Sequence, residues 1–169
     1  MSVRKLKPVT PAQRFRVVNV FDLITTDIPE KSLLEPKKKS GGRNNKGKMT
    51  MKHRGGGHKR RYRLIDFKRD NFGVIGKVKS VEYDPNRTSY ISLIEYKGGD
   101  KRYIIAQSGI KVGQKITSGE SAPPDVGNAL PLSRIPLGTI ISCIELRPGG
   151  GATISRLSLI HISEPTRPY

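Results

Sequence analysis

Between Pro36 and Arg63 run 28 consecutive residues without a single Leu, Ile, Val or Phe. The same window holds 12 Lys and Arg, six Gly and no acidic residue. A segment with so little apolar surface cannot offset its chain entropy by burial, so it is not expected to fold by itself. Its like charges repel and should keep it extended until something anionic neutralises them. Any core must be built from residues on either side, with this window projecting from it.

The charge of the whole chain follows the same division. Its 169 residues carry 32 Lys and Arg against 14 Asp and Glu, a net of +18. Residues 1–69 hold 20 basic and 5 acidic residues, a net of +15, while 70–169 hold 12 and 9, a net of +3. Such an excess implies a polyanionic partner, either nucleic acid or an anionic membrane surface. Membrane-surface binding calls for an amphipathic helix, which the Gly-rich, Leu-free window cannot supply. No apolar run is long enough to cross a bilayer. Arg4-Lys5-Lys7 is followed by Pro8-Val9-Thr10-Pro11 rather than an apolar stretch, so no signal peptide is expected. The one cysteine, Cys143, rules out an intramolecular disulfide and points to a reducing compartment.

From Leu64 to Leu146, 25 of 83 residues are Leu, Ile, Val or Phe, enough for a small core. The apolar segments are short, β-branched and bounded by turn residues. Tyr62–Phe67, Val74–Tyr83, Tyr90–Tyr96 and Arg102–Ala106 are expected to be strands. Asp84-Pro85-Asn86-Arg87 and Lys97-Gly98-Gly99-Asp100 read as turns. With no amphipathic helix in evidence, the pattern predicts an all-β chain built on an OB-like antiparallel barrel. Ser118–Asn128 reads as a linker, and further strands are expected at Leu130–Leu132 and Thr139–Leu146. Upstream of the window, Phe15–Ile24 reads either as a short strand docked on the barrel or as a functional arm.

Few residues suggest chemistry. Gly42-Arg-Asn-Asn-Lys-Gly47-Lys48 matches the start of a phosphate-binding loop, but Met49 stands where a hydroxyl should hold magnesium, and no apolar strand precedes the glycines. His53 and His58 lack the paired cysteines of a zinc finger, so no metal is expected. Cys143 reads as a core residue in a strand, and no carboxylate pair suggests acid–base work. No cofactor or small-molecule substrate is called for. The stretch Arg54-Gly-Gly-Gly-His-Lys-Arg-Arg-Tyr-Arg63 suits a chain threading between RNA segments: glycines pass narrow gaps, arginines fork onto phosphate, and Tyr62 can stack.

Six strings in order carry a resemblance: Ser40-Gly-Gly-Arg-Asn-Asn45, Arg54-Gly-Gly-Gly-His-Lys59, Tyr62-Arg-Leu-Ile-Asp-Phe-Lys-Arg69, Glu82-Tyr-Asp-Pro-Asn-Arg87, Tyr103-Ile-Ile-Ala106 and Ile144-Glu-Leu-Arg-Pro-Gly149. Over roughly Met1 to Arg156 the chain resembles the bacterial-type large-subunit ribosomal protein L-two family. The resemblance implies a non-enzymatic cytoplasmic component of the ribosome that binds large-subunit ribosomal RNA beside neighbouring ribosomal proteins. It implies roles in assembly, subunit association and formation of the peptidyl-transferase region. It further implies a basic N-terminal extension (1–61), an OB-like barrel (62–120), and a linker with the start of an incomplete SH3-like barrel (121–156). By matching positions Arg43, Asn44, Asn45, Arg54, Gly55, Gly56, Gly57, His58, Lys59 and Arg60 would make the main RNA contacts. Lys46, Lys48, Lys52, His53, Arg61, Arg63, Lys68, Arg69 and Arg87 complete the candidate set.

The family chain is longer, and this sequence departs from it after Arg156. Leu157-Ser-Leu-Ile-His-Ile-Ser-Glu-Pro-Thr-Arg-Pro-Tyr169 resembles the translation of a transposase-type sequencing adapter, and is expected to be a non-native tail. The competing functional class is a generic OB-type protein for single-stranded nucleic acid. It would use Tyr83, Tyr90, Tyr96 and Tyr103 as stacking platforms.

Overall fold

A computed structural model describes residues 3–156 and the backbone of His161 and Ile162. The expected non-native tail at 157–169 lies outside the described residues apart from that dipeptide. The described chain contains strands and short 3₁₀ turns and no α-helix. Ten strands are present: β1 (Val3–Lys5), β2 (Val17–Asn19), β3 (Leu34–Pro36), β4 (Arg61–Arg63), β5 (Gly76–Glu82), β6 (Ile91–Tyr96), β7 (Lys101–Ile105), β8 (Lys115–Ile116), β9 (Ile140–Ile141) and β10 (His161–Ile162).

The centre is an antiparallel sheet in the order β7-β6-β5-β8. Its three longer strands are the β-branched runs expected from the sequence. The turns between them form as their residues dictate. Asp84 Oδ1 accepts from the Asn86 amide at 2.9 Å, and the Gly99 amide closes onto the Tyr96 carbonyl at 3.1 Å. The segment before β5 reaches both edges of this sheet, which makes it an OB-type barrel rather than an open layer. Ile65 pairs in parallel with Tyr103 beyond β7, and the Gly73 amide donates to the Ser118 carbonyl beyond β8 at 2.9 Å.

A β-bulge decides which side chains enter the core. Val78 pairs with Ile94 and Ser80 with Leu93, so Lys79 is the extra residue. Strict alternation would put Val78 and Val81 on opposite faces. The bulge shifts the parity, and both valines join the face of Ile94, Tyr96, Ile104 and Ile116. The other face buries Ile91, Leu93 and Tyr103 under Leu33 and Ile65. Tyr103 is fully buried; its hydroxyl donates to Glu82 Oε2 and accepts from the Glu30 amide, both at 2.7 Å.

Of the two readings of Phe15–Ile24, the contacts favour docking on the barrel: Ile24 packs against the Val81–Tyr90–Ala106 cluster, and the Val81 amide donates to Thr25 Oγ1 at 2.9 Å. Other sequence expectations are corrected or sharpened. Ser118–Asn128 is a pinned loop, because Asn128 Oδ1 accepts from the Thr117 amide while its Nδ2 donates to the Pro123 carbonyl. Leu132–Arg134 forms a 3₁₀ turn instead of a strand. Pro131 has no amide to contribute to a ladder, and Ala129 has already paired with Ser118. Of Thr139–Leu146, only Ile140–Ile141 is strand, paired with β10. Cys143 is a half-buried bend residue at φ 56°, not a strand residue, and burial pushes its thiol up from the ordinary range. Leu146, 70% exposed, and Ile140 leave apolar surface in this region.

Candidate nucleic-acid interface

The residues flanking the basic window pair with each other. Leu34, Glu35 and Pro36 of β3 face Arg63, Tyr62 and Arg61 of β4 in an antiparallel ladder. The window is therefore a long loop tied at its base, a correction to the extended arm expected from its charge. Inside it the chain is organised by polar contacts alone, as its composition requires. An isolated bridge joins Arg43 to Met49. Asn44 Oδ1 accepts from the amides of Lys46 and Lys48 at 3.0 and 2.9 Å, folding the tip into an Asx turn. The Gly42 carbonyl accepts from the amides of Thr50 and Met51 at 2.9 and 3.2 Å.

Lys39 joins the two limbs. Its ammonium donates to the carbonyls of Gly56, Gly57 and His58 at 2.8, 3.2 and 3.0 Å. All three donors of the ammonium are thereby used, so Lys39 holds the three-glycine segment in place instead of offering its protons outward. Gly42–Lys48, the partial match to a phosphate-binding loop, forms a hairpin tip here, with no helix following it.

Everything from Arg43 to Arg61 is exposed. Arg43, Asn45, Lys46, Lys48, Lys52, His53, Arg54, His58, Lys59, Arg60 and Arg61 thus share one accessible loop. The backbone of Gly55, Gly56 and Gly57 lies open beside them. At the base a cleft of about 410 Å³ lies between Leu34–Lys38 and Lys59–Arg61. Lys37, Lys38 and Lys39 fall outside the candidate set expected from the sequence, although their charge run is plain there. The role of Lys39 left no local signal, because its partners lie 17–19 residues away.

Four of the candidate residues stand apart from the loop surface. Arg87 is drawn inward, with Nε 2.5 Å from the buried Asp84 carboxylate and its guanidinium 5.6 Å from the Tyr62 ring centroid. Arg69 donates to the Gly127 carbonyl at 3.1 Å, and burial lowers its pKa from the ordinary value. Arg63 is half-buried and donates back to the Arg61 carbonyl. Lys68 lines a separate cleft with Asp66 and Asp70.

The acids of the fold are used elsewhere. Arg102 contacts Asp66 at 3.1 Å, Asp100 at 3.1 Å, and Asp70. Burial works against its charge, but these three carboxylates outweigh burial and raise its pKa. Lys101 pairs with Glu30 at 2.7 Å and Lys79 with Glu95 at 3.5 Å. Among the described residues, no ion pair involves a cation of residues 37–63. Among the described residues no carboxylate pairs with this concentrated positive charge, whereas of the four tyrosines expected as stacking platforms Tyr90, Tyr96 and Tyr103 are buried in the core and Tyr83 alone is exposed.

The family model described as "Ribosomal Proteins L2, RNA binding N-terminal domain" matches residues 30–118, which include the tied loop and the barrel. The large ribosomal subunit protein uL2 of Flavobacterium psychrophilum is 68% identical over 156 residues, covering 92% of this chain and 57% of the relative. The uL2 protein of Parabacteroides distasonis is 59% identical over the same coverage, and that of Bacteroides thetaiotaomicron 56%. The chain thus spans little more than half the length of these relatives. With matches of this identity along nearly all of its length, the chain belongs to the large-subunit ribosomal protein L2 (uL2) family.

Proposed function

We propose that this chain binds large-subunit ribosomal RNA as a structural, non-catalytic component of the ribosome. The observation that carries the reading is the exposed loop of residues 37–60, whose cations form no ion pair among the described residues, while the barrel carboxylates Asp66, Asp70, Asp84, Glu95 and Asp100 are paired with barrel cations. Counterions held by RNA phosphates are released when such a loop docks, which supplies affinity without base specificity. The tied base and the Asx turn then restrict the shapes the loop can fit. In this reading 1–61 acts as the RNA-embedded extension, 62–120 as the barrel and 121–156 as the start of an SH3-like barrel. The contacts are made by Arg43, Asn45, Lys46, Lys48, Lys52, His53, Arg54, the Gly55–Gly57 backbone, His58, Lys59, Arg60 and Arg61. The names of the relatives support a place in the large ribosomal subunit; a cytoplasmic location, neighbouring ribosomal proteins, and roles in assembly, subunit association and the peptidyl-transferase region are part of the same proposal.

The test is competition binding. A folded large-subunit RNA fragment should displace labelled RNA far better than single-stranded DNA of equal length. Equal competition would favour the generic single-strand binder, a reading opposed by the burial of three of its four tyrosines. Neutralising Arg54, Lys59, Arg60 and Arg61 together should flatten the slope of log affinity against log salt by about 3 units, at ~0.7–0.9 per phosphate contact. An unchanged slope would place the RNA surface elsewhere.

A further inference from the structure

The first hairpin of the chain lies outside the 30–118 segment that the family model matches. It pairs β1 with β2 through Val3–Asn19, Arg4–Val18 and Lys5–Val17. Arg4, Lys5, Lys7, Arg14 and Arg16 are all exposed, and the sequence contains no acid before Asp22. Among the described residues, none of these five cations takes part in an ion pair. At the turn, Phe15 stands between Arg14 and Arg16 with 89% of its surface exposed.

We propose that Arg14-Phe15-Arg16 is a second RNA-binding element, in which the Phe15 ring stacks on an unpaired base and the flanking arginines engage the adjacent phosphates. The inference rests on the RNA-binding reading above and adds a site of a different kind, one that reads unpaired bases and not charge alone. A large ring held in water is a standing cost that burial against a partner would recover. Arginine and aromatic residues also serve protein–protein interfaces, but five exposed cations with no acid before Asp22 make a polyanion the better fit. An aromatic interleaved with cations fits a nucleobase and its neighbouring phosphates, since every base offers a π-face. The ring is presented on an ordered turn. The amide of Arg16 donates to the Gln13 carbonyl and the amide of Leu6 to the Arg16 carbonyl, each at 3.2 Å. Little chain ordering is then left to occur on binding.

The chain has no Trp, so Phe15→Trp in the full chain installs a single fluorescent reporter. Titration with the folded large-subunit RNA fragment should quench the introduced indole. A fully paired RNA duplex of the same length, at the same salt, should leave it bright. Phe15→Ala should weaken binding of the folded fragment by roughly 5- to 100-fold with no change in salt slope, and Phe15→Tyr should restore it. Arg14→Gln with Arg16→Gln should lower the slope by about 1.5 units. If the fragment binds with the loop-dependent slope but leaves the indole unquenched, or if Phe15→Ala binds like the parent, the second site is refuted and the loop reading stands. Quenching by anionic phospholipid vesicles but not by RNA would also refute it. If the loop variants leave the slope unchanged while Phe15→Ala still weakens binding, it is the loop reading that fails and the second site that stands.

Discussion

Gly42 and Gly47 occupy the same left-handed backbone region, at φ +76° and +77°, but differ in the space around them. A Cβ added at Gly42 would sit 2.0 Å from the Met51 carbonyl oxygen, whereas one at Gly47 meets nothing within 4 Å. Both alanine variants suffer the left-handed penalty of an L-residue, about 1–2 kcal/mol. Only Gly42→Ala must also push two backbone segments apart by more than 1 Å, to reach ordinary contact near 3.4 Å. That movement breaks the bonds from the Thr50 and Met51 amides to the Gly42 carbonyl, at about 0.5–1.5 kcal/mol each. The additional cost, roughly 2 kcal/mol, corresponds to about 30-fold in affinity if RNA recognises the organised loop. Gly42→Ala should therefore bind the folded RNA fragment at least about tenfold more weakly than Gly47→Ala. Neither variant removes charge, so the salt slope of both should equal that of the parent. Thermal unfolding of the barrel should be unaffected, since the loop contributes nothing to the buried clusters. Filter binding at four salt concentrations with a parallel melting curve reads all three quantities. Equal affinities for the two variants would show that RNA binds the loop as an unstructured polycation, and the argument from its organisation would fall.

Other expected outcomes follow from the same contacts. Lys38→Met should lower the salt slope by just under one unit, while Lys39→Met, which removes three internal hydrogen bonds, should weaken binding at an unchanged slope; matching slopes in the two variants would contradict the assigned role of Lys39. Tyr103→Phe leaves both Glu82 Oε2 and the Glu30 amide without their partner and should cost about 2–4 kcal/mol in urea unfolding. A loss under about 1 kcal/mol would mean that this network adds little. The hydrogen bond from Lys101 holds the Glu30 carboxyl below its ordinary range. Its stabilisation is therefore present above the unfolded pKa, near 4.3, and is lost as pH falls through the lower folded value. The melting temperatures of Glu30→Gln and the parent should differ at pH 6 and converge below about pH 3; a gap persisting at pH 2 would assign the effect to packing.

Much of the barrel could be read from local pattern. β5, β6 and β7, the longest strands among the described residues, fall on β-branched and aromatic runs, and the turns at Asp84–Arg87 and Lys97–Asp100 separate them by residues that favour tight turns. β8, with two residues, is too short to leave a period. The bulge at Lys79 was illegible because it is specified by the pairing of two strands, not by either strand alone. The candidate site divides in the same way. The loop cations could be picked out by composition, and most of them are exposed together. Arg69 and Arg87 look the same in sequence as Arg54 or Arg60, but their guanidinium groups meet Gly127 and Asp84 inside the fold.

What the sequence by itself determined is the character of this segment. Twelve cations with no acid and no branched apolar residue cannot be buried, so residues 36–63 must stay at the surface, where their field favours an anionic partner, whatever the rest of the chain does. What only the tertiary structure decided is which cations remain available and in what shape they are held. Ion pairs and hydrogen bonds form between residues brought together from distant parts of the chain. The β3–β4 ladder, the three carbonyls around Lys39 and the carboxylates around Arg102 each join residues that lie apart in the sequence and meet only in the folded chain.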